Sequence, residues 1–326
     1  MVERMPGAQD APEVVTLGEA MLRLSPEGGR PLEQAERLAV YAAGAEANVA
    51  VALARLGVRV GWVSRLVDNA LGRKIAGELR RHGVDVSRVV WTPEGRVGVY
   101  FVELAVPPRE SYIIYDRRGS AITQIAAEEV DWGYVRRAAL LHTTGITLAL
   151  GEPCRRLVAR AVEEVKQAGG QVALDVNYRA RLWSPEEARR ALDAVLPEVD
   201  VLQCAEEDAR QVLGLAGDPE QMVEAARSRY GCAVVALTLG AKGAVASDGQ
   251  VRTHPALGGQ VVDPVGRGDA FAAGFLFGYL EGDIDRALAY GTALAAFKQT
   301  YHGDFLWATH EDLRRALGGP PGDIRR

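Results

Sequence analysis

A basic excess, paired cysteines and long apolar runs are all missing from this 326-residue chain, and each absence closes off a class of function. Lys and Arg number 38 against 43 Asp and Glu, a formal net charge of −5. A nucleic-acid binder usually carries a basic excess, and no dense Lys/Arg stripe overrides this balance. The three cysteines, Cys154, Cys204 and Cys232, lie far apart and in no CxxC spacing. That pattern speaks for reduced thiols in a cytoplasmic protein, not for a disulfide framework. Buried structural thiols are the plain reading and a catalytic cysteine the sharper one. The five histidines are scattered and give no metal-ligand spacing. No stretch of about 18 apolar residues occurs, so no membrane span is expected. Residues 1–12 lack the apolar run of a signal peptide, and both 1–12 and 318–326 read as flexible tails.

With 48% hydrophobic residues the chain can bury a sizeable core without disulfides or metals. Short apolar, β-branched runs recur at Val14–Leu17, Val58–Val63, Ala139–His142, Val172–Asp175, Val199–Leu202 and Val234–Leu237. Runs apolar on both faces suit parallel strands covered by helices. Between them the spacing predicts helices over Asn48–Leu56, Leu71–His82, Glu152–Ala168, Ser184–Leu196, Glu206–Leu213 and Pro219–Tyr230. Ser184-Pro-Glu-Glu187 has an N-cap serine, proline at the first helical position and acids in the first turn. Alternation of this kind predicts a doubly wound, mostly parallel α/β sheet with helices on both faces, over 14–317. One region breaks the rhythm. Val89–Trp91, Gly98–Leu104 and Ser111–Tyr115 read as consecutive strands. They predict a small antiparallel β lid formed by about 22–41 and 89–120.

The most informative stretch is Val261-Val-Asp-Pro-Val-Gly-Arg-Gly-Asp-Ala-Phe-Ala-Ala-Gly-Phe-Leu276. Glycines at a helix entrance let backbone N–H groups converge on an anion, with the helix dipole adding positive potential. An aspartate there, Asp269, has the chemistry to accept the proton of an attacking hydroxyl where a phosphoryl group is held. The plainer reading is a glycine turn with Asp269 as an ordinary N-cap. The stretch is neither a P-loop nor a dinucleotide fingerprint, since both consensus spacings are absent.

Asp263-Pro-Val-Gly-Arg-Gly-Asp269 resembles the D-x-x-G-x-G-D signature of the ribokinase-like (PfkB) carbohydrate kinases, and Ala43-Gly-Ala-Glu-Ala-Asn-Val-Ala-Val-Ala-Leu-Ala-Arg-Leu-Gly57 resembles their amino-terminal signature. Within that family the chain is most similar to 2-keto-3-deoxygluconate kinases, through Tyr115–Ala121, His142–Thr147, Asp175–Arg179 and Leu182–Glu187. The resemblance implies a kinase using ATP and Mg2+ to phosphorylate the terminal hydroxyl of a small sugar acid. Asp269 would be the base, with Gly266, Arg267 and Gly268 forming the anion loop. Gly44, Asn48, Tyr100, Tyr115, Arg117, Arg179 and Asp304 would line the acceptor pocket. Asn177, Thr238, Gly240 and Gly243, with Gly266 and Gly268, would lie on the nucleotide side.

The residues suit these roles, and each has a plainer use. Arg117 and Arg179 can grip a carboxylate in a fork geometry, or sit solvated. Tyr100 and Tyr115 can cover a ligand, or pack in a core or between subunits. Asn48 can bond sugar hydroxyls, or cap a helix. Asp304 can hold a ligand hydroxyl, or do nothing in a polar loop. Two departures stand out. Arg267 replaces the usual alanine, and the N-x-x-E motif maps onto Ala205-Glu-Glu-Asp208, which leaves Asp208 to act on magnesium through water. The resemblance also leaves room for a monovalent cation supporting the anion loop, and for a homo-oligomer formed through the lid. A kinase for a neutral sugar or nucleoside, and a non-catalytic sugar sensor of the same fold, stay open as alternatives.

Overall fold

The structure is a computed structural model that describes residues 11–318. The tails expected over 1–12 and 318–326 lie outside those residues, apart from 11–12 and 318. In chain order the first elements are β1 (Val14–Leu17), β2 (Met21–Pro26), β3 (Leu38–Ala43), α1 (Ala45–Arg55), β4 (Val60–Val63), β5 (Arg65–Val67) and α2 (Ala70–Arg81). Next come β6 (Val90–Thr92), β7 (Val99–Glu103), β8 (Tyr112–Asp116), α3 (Trp132–Val135), β9 (Leu140–Thr144), α4 (Gly145–Ala149) and α5 (Glu152–Gln167). The remainder comprises β10 (Gln171–Asp175), α6 (Pro185–Asp193), β11 (Val201–Ala205), α7 (Glu206–Gln211), α8 (Pro219–Tyr230) and β12 (Val234–Thr238). It closes with β13 (Ala244–Ser247), β14 (Val251–His254), α9 (Arg267–Leu280), α10 (Ile284–Lys298) and α11 (His310–Gly318).

Eight strands form the main sheet in the order β14-β13-β12-β11-β10-β9-β1-β4. The six from β12 to β4 pair in parallel, and β13 and β14 add an antiparallel edge. Side chains alternate across a strand, so each strand feeds two cores. Val14, Leu140, Ala173, Val201 and Val234 join one apolar cluster; their neighbours Val15, Leu141, Leu174, Leu202 and Val235 join the other. Helices α1, α2, α9 and α10 cover the first face, and α5, α6 and α8 cover the second. This is the doubly wound architecture that the alternating runs predict.

Order reverses at β1, which sits between β4 and β9. In open α/β sheets, ligands bind beyond the carboxyl ends of the strands at such a switch point. The segments leaving those ends are Gly18–Glu19, Gly145, Val176–Asn177, Glu206–Asp208 and Leu239–Gly240. Helix α9 runs in with them, packed closely on α10 because both present glycine. A Cβ on Gly274 would stand 2.6 Å from the Tyr290 carbonyl oxygen, and one on Gly278 would stand 2.5 Å from Ala287 Cα.

A second sheet has the order β3-β2-β7-β8. Its outer pairs are antiparallel and its inner β2–β7 pair is parallel. The strand predicted at Val89–Trp91 is real but belongs elsewhere. As β6 it pairs in parallel with β5 in a separate two-stranded ladder, so the stretch before Val99 is not part of the lid sheet. The carbonyl of Ser64 accepts from Val90 N at 2.9 Å, a long-range pairing that a local apolar run cannot announce. Helix α1 starts at Ala45 with Gly44 as its N-cap. Asn48 therefore lies inside the first turn and is not the cap that its residue type suggests.

Candidate active site

Asp269 lies in the first turn of α9, behind an N-cap Gly266 in the left-handed region at φ 83°. A side chain at 266 would be strained twice over, since its Cβ would also meet the Asp304 carbonyl oxygen at 2.5 Å. The Asp269 carboxylate is buried and held by two amides. Asn48 Nδ2 donates to Oδ2 at 2.6 Å and Asn177 Nδ2 to Oδ1 at 3.4 Å. Burial pushes its pKa above the ordinary carboxylate range, while the Asn48 hydrogen bond and the Arg179 charge pull it down. Asn177 adopts φ 40°, a left-handed conformation that asparagine tolerates better than most residues. Its backbone N–H and side chain meet the Asp175 carboxylate at 3.2 and 3.3 Å.

Asp175 and Asp208 extend this acidic wall. Asp175 keeps some exposure at the end of β10 but is ringed by protein, and its pKa is pushed up to about 8 by burial, then by the charges of Asp269 and Asp208. Asp208, near the start of α7, accepts from Tyr178 N at 3.0 Å and is raised by burial. Exposed Arg179 faces all three carboxylates and lowers each of them. Among the described residues no His, Cys, Asp and Glu group is tight enough to hold a metal by itself. Three carboxylates sharing one cation nonetheless form the kind of oxygen-rich wall that accompanies a hydrated magnesium and phosphates.

On the other side of the α9 N-terminus is a cavity of about 360 Å³, lined by Thr238, Gly240, Gly243, Arg267, Gly268 and Phe271 among others. Arg267 is exposed on its rim, with no charged partner among the described residues. Its backbone N–H bonds the Pro264 carbonyl at 3.3 Å. Of the six residues predicted on the nucleotide side, Thr238, Gly240, Gly243 and Gly268 are thereby brought together, whereas Gly266 is not in this lining and Asn177 stands beside Asp175 and Asp269.

The remaining predicted residues gather where the four-stranded sheet meets the main sheet. Tyr100 and Tyr115 stack with centroids 5.6 Å apart, and the Arg117 guanidinium lies 5.8 Å from the Tyr115 centroid. Arg117 pairs with buried Glu19, which also accepts from Ser120, and leaves its own buried Nε without a hydrogen-bond partner. The Gly44 backbone approaches Glu19 so closely that a Cβ would stand 2.1 Å from the Glu19 carbonyl oxygen. Asp304 is not idle in a polar loop. Arg23 Nη1 donates to it at 2.7 Å and the Tyr100 hydroxyl at 2.5 Å.

Several residues here escape sequence reading. Arg23 is fully buried and bridges Asp304 to Asp263, the latter at 2.7 Å. Although burial opposes it, the charges of Asp304 and Asp263 hold the Arg23 pKa above its ordinary value. Glu46, also buried, accepts from Thr144 N, Thr144 Oγ1 and Thr147 Oγ1 at 3.1, 2.8 and 2.6 Å, yet burial still lifts its pKa to about 7. The one hint for Arg23 is an arginine inside an otherwise apolar strand, Met21-Leu-Arg-Leu24. Its partners lie too far along the chain for any local pattern.

The profile described as "pfkB family carbohydrate kinase" matches residues 11–307. The chain is 42% identical over 316 residues to a 2-dehydro-3-deoxygalactonokinase of Haloferax volcanii, covering 96% of this chain and 99% of that one. It is 37% identical over 296 residues to a 2-dehydro-3-deoxygluconokinase of Thermoproteus tenax, covering 89% of each. The solved 2-dehydro-3-deoxygluconokinase of Thermotoga maritima superposes with a TM-score of 0.88 at 33% identity, over 94% of this chain and 99% of that one.

Proposed function

Because the chain belongs to the pfkB family of carbohydrate kinases, we propose that it transfers the γ-phosphate of ATP to the terminal hydroxyl of a 2-keto-3-deoxy sugar acid. 2-Keto-3-deoxygluconate and its C4 epimer, 2-keto-3-deoxygalactonate, are the acceptors that fit best. One observation carries this reading. Gly268 lines the cavity suited to a nucleotide, while the next residue, Asp269, turns its buried carboxylate the other way, onto Asn48 and Asn177. A base on one side of a helix N-terminus and a cavity on the other is a layout suited to in-line phosphoryl transfer.

In this reading Asp269 takes the proton of the attacking hydroxyl, and its raised pKa makes it the stronger base. The backbone N–H groups of Gly266 and Gly268 and the α9 dipole stabilise charge on the transferring group. Arg267, on the cavity rim, and Arg179, facing the carboxylates, add cations beside the phosphates. Asn48 and Asn177 orient the base, and Asn48 remains within reach of an acceptor hydroxyl. Arg117, held in place by Glu19, supplies the cation for the acceptor carboxylate. Tyr100, Tyr115 and Gly44 form the wall around the sugar, and Asp304 fixes Tyr100. Magnesium, when bound with the nucleotide, neutralises phosphate oxygens; Asp208 and Asp175 are the residues that would hold it through water.

The four-stranded sheet acts as the lid that keeps water from the phosphoryl group. Its edge strands β3 and β8 leave Val40, Tyr112 and Ile114 exposed, which supports pairing of two copies through the lid. Three buried free cysteines and a net charge of −5 support a cytoplasmic protein without a nucleic-acid partner. Among the described residues no helix is long and apolar enough to cross a membrane.

The mechanism is tested by Asp269→Asn. Loss of a general base lowers kcat by roughly 10²–10⁴-fold, while acceptor binding measured by calorimetry persists. A variant with full turnover would remove Asp269 from the chemistry.

A further inference from the structure

Behind the anion loop sits a buried lysine that the reaction does not call for. Lys298 ends α10 with its side chain 0% exposed. Its ammonium Nζ donates to the carbonyl oxygens of Asp263 and Tyr301, both at 3.4 Å, and stands 5.2 Å from the Tyr301 ring centroid. Asp263 is the residue that opens the loop ending in Asp269.

The neighbouring carboxylates are already engaged by other donors. Asp263 forms an ion pair with Arg23, Nη2 standing 2.7 Å from Oδ2, and accepts from Gly303 N at 3.0 Å and from Val265 N at 3.0 Å. Asp304 accepts from Arg23 and Tyr100. The ammonium therefore meets backbone carbonyls, in surroundings where Asp263, Asp304 and Asp269 attract it and Arg23 repels it. Burial acts against its charge, and the three carboxylates act for it. The same two segments are also tied through their backbones. Val262 N and Asp263 N both donate to the Gln299 carbonyl, at 2.7 and 3.1 Å. Gly266, whose own φ is positive, rests against the Asp304 carbonyl. The rear wall of the anion loop is thus the 298–304 segment, and its charged centre is Lys298.

Carbonyl oxygens turned inward on a single positive charge are how proteins replace the hydration shell of a monovalent cation. A lysine ammonium brings that charge as a compact point on a flexible stem. The monovalent cation that the sequence resemblance leaves room for does not fit here, because Nζ stands where the carbonyls point. We propose that Lys298 is a positioning residue whose tethered ammonium holds the Asp263 and Tyr301 carbonyls, and with them the amides of Gly266 and Gly268, in place of a free monovalent cation. This rests on the reading of that loop as the phosphate cradle.

The test compares wild type, Lys298→Ala and Lys298→Met in buffer whose only cation besides Mg2+ is tetramethylammonium, with K+, NH4+ or Li+ then added. Wild-type turnover should change by less than about twofold. Misplacing a catalytic element can cost roughly a hundredfold, and Lys298→Ala should lose activity on that scale. K+ or NH4+, but not Li+, should restore about tenfold or more of it, since the truncated side chain leaves space for the ion. Lys298→Met, which fills that space with an apolar chain, should not recover. Strong K+ activation of the wild type, full activity of Lys298→Ala, or a loss that neither ion repairs would each overturn the proposal. Should Lys298→Ala fail to fold, the wild-type cation response decides. If neither protein turns over any acceptor, the kinase reading falls and melting temperatures decide. Stabilisation by K+ over tetramethylammonium in Lys298→Ala alone is expected, and an equal response in wild type overturns the idea.

Discussion

A carboxylate buried beside a helix N-terminus is a stronger base than a solvated one, and it stays poorly ionised until the pH is higher. Burial raises Asp269, and Asn48 opposes that rise through a 2.6 Å hydrogen bond to the ionised form. The acid limb of the kcat–pH profile should therefore inflect above the ordinary carboxylate range. In Asn48→Ala the inflection should move higher still, because a donor that favours the charged form is gone. A profile that does not move would leave Asn48 no part in tuning the base. At this scale the sequence was most legible where chemistry is written locally. Gly266 to Asp269 form one turn, and their spacing alone suggested an anion loop with a base. Asn48 shows the opposite case. Its residue type suggests a cap or a sugar ligand, whereas its amide serves an aspartate from the far end of the chain.

At the scale of elements, the four-stranded sheet is fastened to the kinase core by a buried charge. Arg23 on β2 joins Asp263 and Asp304, and removing one partner of such a network leaves charge uncompensated. Arg23→Met should lower the unfolding free energy by about 3–5 kcal/mol, read from chemical denaturation. A loss within experimental error would mean that the four-stranded sheet is held by apolar contacts alone. The main strands were readable because β-branched runs buried on both faces leave a strong local mark. Strands β13 and β14 were not, since Ala244–Ser247 carries one β-branched residue and Val251–His254 alternates with charge. Helix α10 leaves no such mark, because Ile284–Lys298 is rich in alanine and shows little contrast between faces. Register hides as well. Val90–Thr92 has the composition of a lid strand and pairs with Arg65–Val67, and nothing within either segment states that choice.

For the whole molecule, the acidic wall makes stability depend on pH. Asp175 at about 8 and Glu46 at about 7 hold their protons in the folded state well above the pH at which an unfolded carboxyl ionises. The folded state then binds more protons than the unfolded one between the ordinary carboxylate range and pH 8, so stability falls as pH rises through that window. The melting temperature of the ligand-free protein should drop from pH 5 to pH 8 because of these groups. Asp175→Asn should flatten that slope, since the amide has no proton to lose. An equally steep slope in the variant would contradict the placement of Asp175 in the cluster. The doubly wound architecture follows from the alternating strands and helices, but the clustering of Asp175, Asp208 and Asp269 follows only from how the strand ends converge at the switch point.

The most direct measurement is ADP release with Mg·ATP across 2-keto-3-deoxygluconate, 2-keto-3-deoxygalactonate, fructose, ribose and adenosine. Turnover confined to the two keto acids is the expected result. Turnover of fructose, ribose or adenosine at comparable kcat/KM would contradict the carboxylate-binding role of Arg117, and no turnover on any acceptor by the folded protein would contradict the kinase itself.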